Sequence, residues 1–234
     1  MTGHLPTGTV LFGDVVGSRR DAGATAFLRE LRDELEATYP WEARLAPFGF
    51  TQGDELQGLL APGIDPFPAV VRASLRPDAR PMRWAIVAGA VEPGTGPATE
   101  RTGVAFLGAR ELIGRAKRQR AGLLATSGDP ASDALLEDLG PLLPALLEEL
   151  TDRQRQIARL ILVDGLRRAD VAERLGVSRA TVSVIADRGR VRHLAPLGHA
   201  LATIFCAGAD RAAAREARGA REAGVSAAAA GSAA

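Results

Sequence analysis

The apolar run Val10-Leu-Phe-Gly-Asp-Val-Val16 carries a single carboxylate, Asp14, before the chain breaks at Gly17-Ser18. Such a run reads as a buried strand. An ionised carboxylate taken out of water costs several kcal/mol unless it is paired or holds a cation, so Asp14 needs a partner. Phe50-Thr-Gln-Gly-Asp-Glu-Leu-Gln-Gly-Leu-Leu60 has two apolar arms around Gly53-Asp54, a hairpin signal. If the two stretches are neighbours in one sheet, Asp14 and Asp54 converge as hard oxygen ligands suited to Mg²⁺, with Glu55 either a third ligand or a surface residue. In the alternative reading Asp14 caps the next helix or takes backbone bonds in the Gly17-Ser18 turn, and Asp54 is simply a hairpin residue.

The remaining elements follow in order. Phe27, Leu28, Leu31 and Leu35 recur at helical spacing before Pro40, with charged residues opposite. Ala43 to Leu60 reads as two antiparallel strands, Phe67 to Leu75 as a short helix, and Arg83 to Val91 as an interior strand. Gly103 to Lys117 is expected to be a helix with Val104, Leu107, Leu112 and Ile113 inward, and Leu123 to Thr126 a last strand. This order predicts an α+β domain, a split βαβ arrangement with an antiparallel-rich sheet and helices on one face.

The chain has 234 residues, 46% of them apolar, enough for one or two cored domains. No apolar run approaches the roughly 20 residues that span a bilayer, and the N-terminus lacks a basic segment followed by an apolar one, so a cytoplasmic protein without membrane partners is expected. Cys206 has no second cysteine to pair with, and His4, His193 and His199 are too scattered for a zinc site. Basic residues crowd Arg153 to Arg192, where Arg exceeds Asp plus Glu by about six. That patch suggests a polyanion.

Within it, Thr151-Asp-Arg-Gln154 is a capping-box start for a helix carrying Ile157, Leu160 and Ile161. A second helix, Ala169 to Leu175, a turn at Gly176-Val177 and a third helix capped by Ser178 follow. Val171, Leu175, Val177, Val182 and Ile185 fall at core spacing, with Ala172 as the small crossing residue, the requirements of a helix-turn-helix. The third helix would present Arg179, Ala180, Thr181, Ser183, Val184 and Asp187 to double-stranded DNA, with Arg179 the first choice for a guanine edge. Arg167, Arg168, Arg188, Arg190 and Arg192 would meet phosphates. The alternative is a three-helix interaction module with a solvated basic face.

These motifs also carry resemblances. Leu150 to Leu194 looks like the helix-turn-helix shared by region 4 of sigma factors and by response regulators. Phe12-Gly-Asp-Val-Val-Gly17, Gly53-Asp54 and Arg83-Trp-Ala-Ile-Val-Ala-Gly89 resemble the first metal strand, the second metal aspartate and the following strand of class III nucleotidyl cyclases. Gly53-Asp-Glu-Leu56 is similar to the signature of diguanylate cyclases, with Gln52 in place of their first glycine. The combination of Gly-Asp strand, Gly-Asp-Glu hairpin and C-terminal helix-turn-helix resembles the SatD family of bacterial proteins.

The cyclase resemblance implies Mg²⁺ on Asp14, Asp54 and Glu55, and a nucleotide near Val15, Gly17, Ser18 and Arg110. In those enzymes an Asn stands four residues before the Arg that matches Arg110, and here Phe106 takes its place. A phenyl ring cannot donate that bond, and losing one positioned transition-state donor costs several kcal/mol. Lys117, the sole lysine, leaves none for the early strands.

The expected protein is therefore a homodimeric, DNA-binding transcription regulator whose cyclase-like domain, weakened in catalysis, senses a nucleotide or metal. The alternative is a Mg²⁺-dependent nucleotide-processing enzyme recruited by its helix-turn-helix. The expected organisation is a cyclase-like domain over 1–130, a linker over 131–145, the DNA-binding domain over 146–208 and a disordered tail over 209–234.

Overall fold

The computed structural model describes residues 5–18, 23–50 and 55–231, without the side chains of 221 and 223–231. Asp54 and Gly53 lie outside the described residues. The N-terminal part is an α+β unit whose five strands are β1 (Thr7–Val15), β2 (Arg44–Phe50), β3 (Glu55–Leu60), β4 (Met82–Ala90) and β5 (Leu123–Thr126). Their order in the sheet is β2-β3-β1-β4-β5, with β5 parallel to β4 and the other pairs antiparallel. The strand that carries Asp14 is thus the central one.

A central strand must be apolar on both faces, and β1 is buried from Gly8 to Val15. Leu11 and Val15 point to the side covered by α1 (Ala24–Thr38) and α2 (Phe67–Leu75), whereas Val10 and Phe12 point to α3 (Val104–Gln119). Helices therefore cover both faces rather than one. The inward side of α3 also differs from expectation: Ala105, Phe106, Ala109, Leu112, Ile113 and Ala116 are buried, while Val104 and Leu107 are about two-thirds exposed. The small Ala residues let the helix sit close on the sheet, and they complete a stripe that large residues alone do not define. Where β2 and β3 pair, the Phe48 ring lies over Gly58, and a Cβ there would stand 2.2 Å from it, so any side chain at that position would push the ring out of its place.

The stretch 131–145, expected as a linker, is helical. It forms α4 (Pro130–Leu139) and most of α5 (Leu142–Glu148), which bury Leu136, Leu143 and Leu147. Pro130 and Pro144 fall in first turns, where the missing N–H has no intrahelical partner to lose. Next come α6 (Asp152–Leu162), α7 (Arg168–Leu175), α8 (Arg179–Arg188) and α9 (Val191–Gly231). The expected disordered tail is, as far as Gly231, the continuation of α9. Alanine and arginine favour helix, and Arg211 and Arg215 fasten it to Asp129 at the N-terminus of α4, at 3.0 and 2.6 Å.

One apolar core runs from Leu28, Trp84 and Ile86 through Leu143 and Ile157 to Val182, Leu201 and Phe205. The Phe67 ring on α2 meets Phe205 on α9 edge-on, with centroids 6.1 Å apart. No helix among the described residues is long and apolar enough to cross a membrane.

Candidate nucleic-acid interface

Each helix of the C-terminal trihelical segment is fixed locally. The Thr151 hydroxyl accepts from Gln154 N and the Gln154 side chain accepts from Thr151 N at 2.9 Å, the capping box that starts α6. The first turn of α7 is held by Asp170, which accepts from the backbone and guanidinium of Arg167, a pair that also holds the Asp170 carboxyl below the usual range. Between α7 and α8, Gly176 adopts φ 63° and ψ 34°, the left-handed conformation that glycine takes without strain. Val177 N then donates to Ala172 O at 3.0 Å, turning the chain into α8. Ser178 caps α8 by accepting from Thr181 N at 3.0 Å.

Val171 and Ala172 on α7 and Val182 and Ala186 on α8 are buried against Ile157, Ala158 and Leu160 of α6, with Leu175, Val177 and Ile185 partly buried around them. Arg179, Ala180, Thr181, Val184, Asp187 and Arg188 are left on the exposed side of α8, with Ser178 exposed at its cap and Ser183 half-buried. Val184 is 50% exposed, a large apolar group on a face otherwise made of polar residues and alanine. Such a group suits a thymine methyl. Neither Arg179 nor Arg188 forms an ion pair with another described residue, so their guanidinium forks are uncommitted.

Two residues expected at the interface are committed to each other. Arg168 Nη2 lies 3.2 Å from Asp187 Oδ1, a link from the start of α7 to the end of α8. Asp187 thereby neutralises one of the cations expected to meet phosphate. Arg190, at φ 52°, bends the chain between α8 and α9 and reaches Glu149 at a looser 3.6 Å.

The N-terminal candidate residues are arranged around a different pair. Asp14 is 4% exposed, and its Oδ1 lies 2.6 Å from Lys117 Nζ on α3. Lys117 is the partner that the buried carboxylate demands, and sequence reading missed it because 102 residues intervene. Glu55 stands directly opposite Asp14 in the β1–β3 register and accepts from Gln57 Nε2 at 2.6 Å. A magnesium ion here would have to displace the Lys117 ammonium. Among the described residues no group of three or more His, Cys, Asp or Glu is arranged to hold a metal, so the described donors alone do not make such a site.

Val15 turns its side chain into the core on the opposite face, away from Asp14, as strand alternation requires. Gly17 turns the chain at φ 76°, and Ser18 beside it is half-buried. Phe106 packs edge-on against Phe12, with centroids 6.2 Å apart, and offers no donor. Arg110 is exposed and lines a groove with Arg115, Thr126 and Asp133.

Sequence reading also missed Glu34, whose carboxylate gathers Arg72, Arg76 and Arg159 at 3.4, 2.9 and 2.9 Å and so joins α1 and α2 to α6. Neither the curated proteins nor the solved structures contain a match to the chain. Residues 141–201, about a quarter of the chain running from α5 into α9, are similar to the family described as KORA: TrfB plasmid transcriptional repressor.

Proposed function

We propose that this protein is a DNA-binding transcriptional repressor that lays α8 in the major groove. The observation that carries the reading is the exposed face of α8, with Arg179 and Arg188 unpaired among the described residues, in a segment similar to the TrfB repressor family. Arg179 stands in the first turn of that helix, where side chains reach base edges, and a bidentate contact to guanine supplies about 1–3 kcal/mol of discrimination. Arg188 and Arg192 serve phosphates. Two copies bind paired half-sites, the arrangement that matches such a reader to a palindromic operator.

The test is duplex selection from a random pool, then fluorescence anisotropy on the selected site and on point-substituted sites. Arg179→Ala is expected to flatten discrimination at one base pair. Arg188→Ala is expected to weaken all duplexes alike and lower the salt slope by about one. Equal losses on every sequence for both variants would refute the division of roles. An absence of any selected sequence would refute the reading itself.

A second reading concerns the N-terminal unit, in which Asp14 and Glu55 oppose each other across β1 and β3. Here a cyclase-like domain, akin to that of the SatD family, binds a Mg²⁺-dependent nucleotide once the ion has displaced Lys117. Melting the protein against a nucleotide panel with and without Mg²⁺ tests this, since a ligand of the native state raises Tm by mass action. A shift that disappears in Asp14→Asn supports it, and no shift with any nucleotide removes it.

A further inference from the structure

A cleft of about 820 Å³ separates the end of α2 from α6 and α7. Its size falls within the range of small-molecule sites. Arg153, Arg155, Arg159 and Arg174 line it against Asp152 and Asp164, leaving an excess of positive charge. Among the described residues most of that charge is not met by carboxylates. Arg155 donates to the carbonyl oxygens of Ser74 and Leu150 at 2.6 and 3.3 Å, and Arg153 donates to the Gln156 amide oxygen at 2.6 Å. Carbonyl and amide oxygens satisfy N–H groups but bring no counter-charge. Arg174 is exposed and has no ion pair among the described residues.

Arg159 is divided. Its Nη2 is held by Glu34 Oε1 at 2.9 Å, while its Nη1 is buried with no hydrogen-bond partner among the described residues. A buried, unsatisfied charged donor is a standing destabilisation, and the quarter of the Arg159 side chain that stays exposed is what the cleft offers an incoming oxygen. The cleft is also bordered by apolar side chains, Leu75 from the end of α2 and Leu160 from α6. An inorganic ion would leave that surface unused, whereas an organic body would cover it.

We propose that this cleft binds a phosphate-bearing organic anion of nucleotide size, its oxygens held by Arg159 and Arg174 and its body against Leu75 and Leu160. Guanidinium forks match phosphate oxygens bidentately, the geometry such a ligand requires. The site is separate from Asp14 and needs no metal. Arg159 would then be shared between ligand and Glu34, so occupancy bears directly on the contact that ties α6 to α1. The consequence for DNA rests on the repressor reading above, but the binding event does not.

The test uses the full chain in EDTA, titrated calorimetrically with inorganic pyrophosphate and with ATP. Saturable binding is expected, tighter for ATP than for pyrophosphate, and weakened about tenfold or more in Arg174→Gln and in Arg159→Lys. Arg174 is exposed, so its variant folds, and the lysine variant keeps a charge beside Glu34 while losing the fork. No saturable heat with either probe, or equal affinity in both variants and the parent, would overturn the proposal. It would also fall if neither probe bound and Arg174→Gln weakened every duplex alike, because the arginines would then serve the DNA backbone. Anion binding without DNA binding would sink the repressor reading and leave the cleft assignment standing.

Discussion

Replacing Lys117 by methionine keeps the length and apolar stem of the side chain and removes the ammonium that lies 2.6 Å from Asp14 Oδ1. Asp14 then remains on the central strand, 4% exposed and facing Glu55. At an effective dielectric of about 20 the lost Coulomb attraction is roughly 6 kcal/mol. Desolvation, side-chain entropy and solvent screening offset most of it, because the Lys117 side chain is 45% exposed. The expected net loss is about 1–2 kcal/mol, or a fall in Tm of roughly 2–8 °C for a chain of this size. Urea denaturation of the parent, Lys117→Met, Asp14→Asn and the double variant closes the cycle. The double variant should be more stable than the sum of the single losses by about 1 kcal/mol, since removing both partners leaves no buried charge unpaired. Additivity within about 0.3–0.5 kcal/mol would refute the pairing and return Asp14 to the turn.

Three further outcomes follow from the geometry. Gly176→Ala should lower stability by about 1–2 kcal/mol in urea, from backbone strain alone, because no atom lies within 4 Å of the added Cβ. The Asp129 carboxyl is held below the usual carboxylate range by hydrogen bonds from Arg211 and Arg215. Its contribution to stability is therefore present above the unfolded-state pKa, about 4, and is lost as pH falls through the lower folded value. Asp129→Asn should flatten the acid limb of a Tm-against-pH curve below about pH 4, and an unchanged limb would contradict the assignment. A chain ending at Gly208 should melt below the full-length protein, whereas an identical Tm would mean that the α9 extension contributes nothing.

Much of this architecture is legible in the sequence because its signals are local. Pro40 and the Thr151–Gln154 capping box punctuate the chain, and the stripe Phe27, Leu28, Leu31, Leu35 places the buried face of α1 correctly. The helix-turn-helix is readable for the same reason: Gly176, Ser178 and the spaced valines act within a few residues of one another. The failures share a cause as well. Val104 and Leu107 read as core because large apolar residues outweigh alanine in a periodicity, yet Ala105, Ala109 and Ala116 are what allow α3 to approach the sheet. The tail from 209 reads as uncored because it has few large apolar residues, but its anchor is ionic, between Arg211, Arg215 and Asp129. Lys117 on Asp14 and Arg159 on Glu34 are pairings across distant segments. Nothing in local spacing chooses between one distant cation and another.

The Glu34 cluster bears on how the two halves of the molecule can influence each other. Had 131–145 been a flexible linker, α6 would be free of the sheet and any signal would have to pass through a tether. Instead α6 is tied to the end of α2 by Arg155 on Ser74 O and to α1 by Arg159 on Glu34, and α8 rests on α6 within the same apolar core. A ligand in the N-terminal unit shifts the pose of α8 only by preferring one arrangement of these contacts over another, and the coupling cannot exceed that difference in affinity. Glu34 is therefore where coupling should be sought. It is an acidic residue outside the proposed DNA-binding face, and its three arginines report the relative position of α1, α2 and α6. A Glu34→Gln variant keeps the shape of the side chain and weakens its hold on all three. If the halves communicate through this cluster, operator affinity in that variant will lose its dependence on ligand while the α8 contacts to DNA stay as they were.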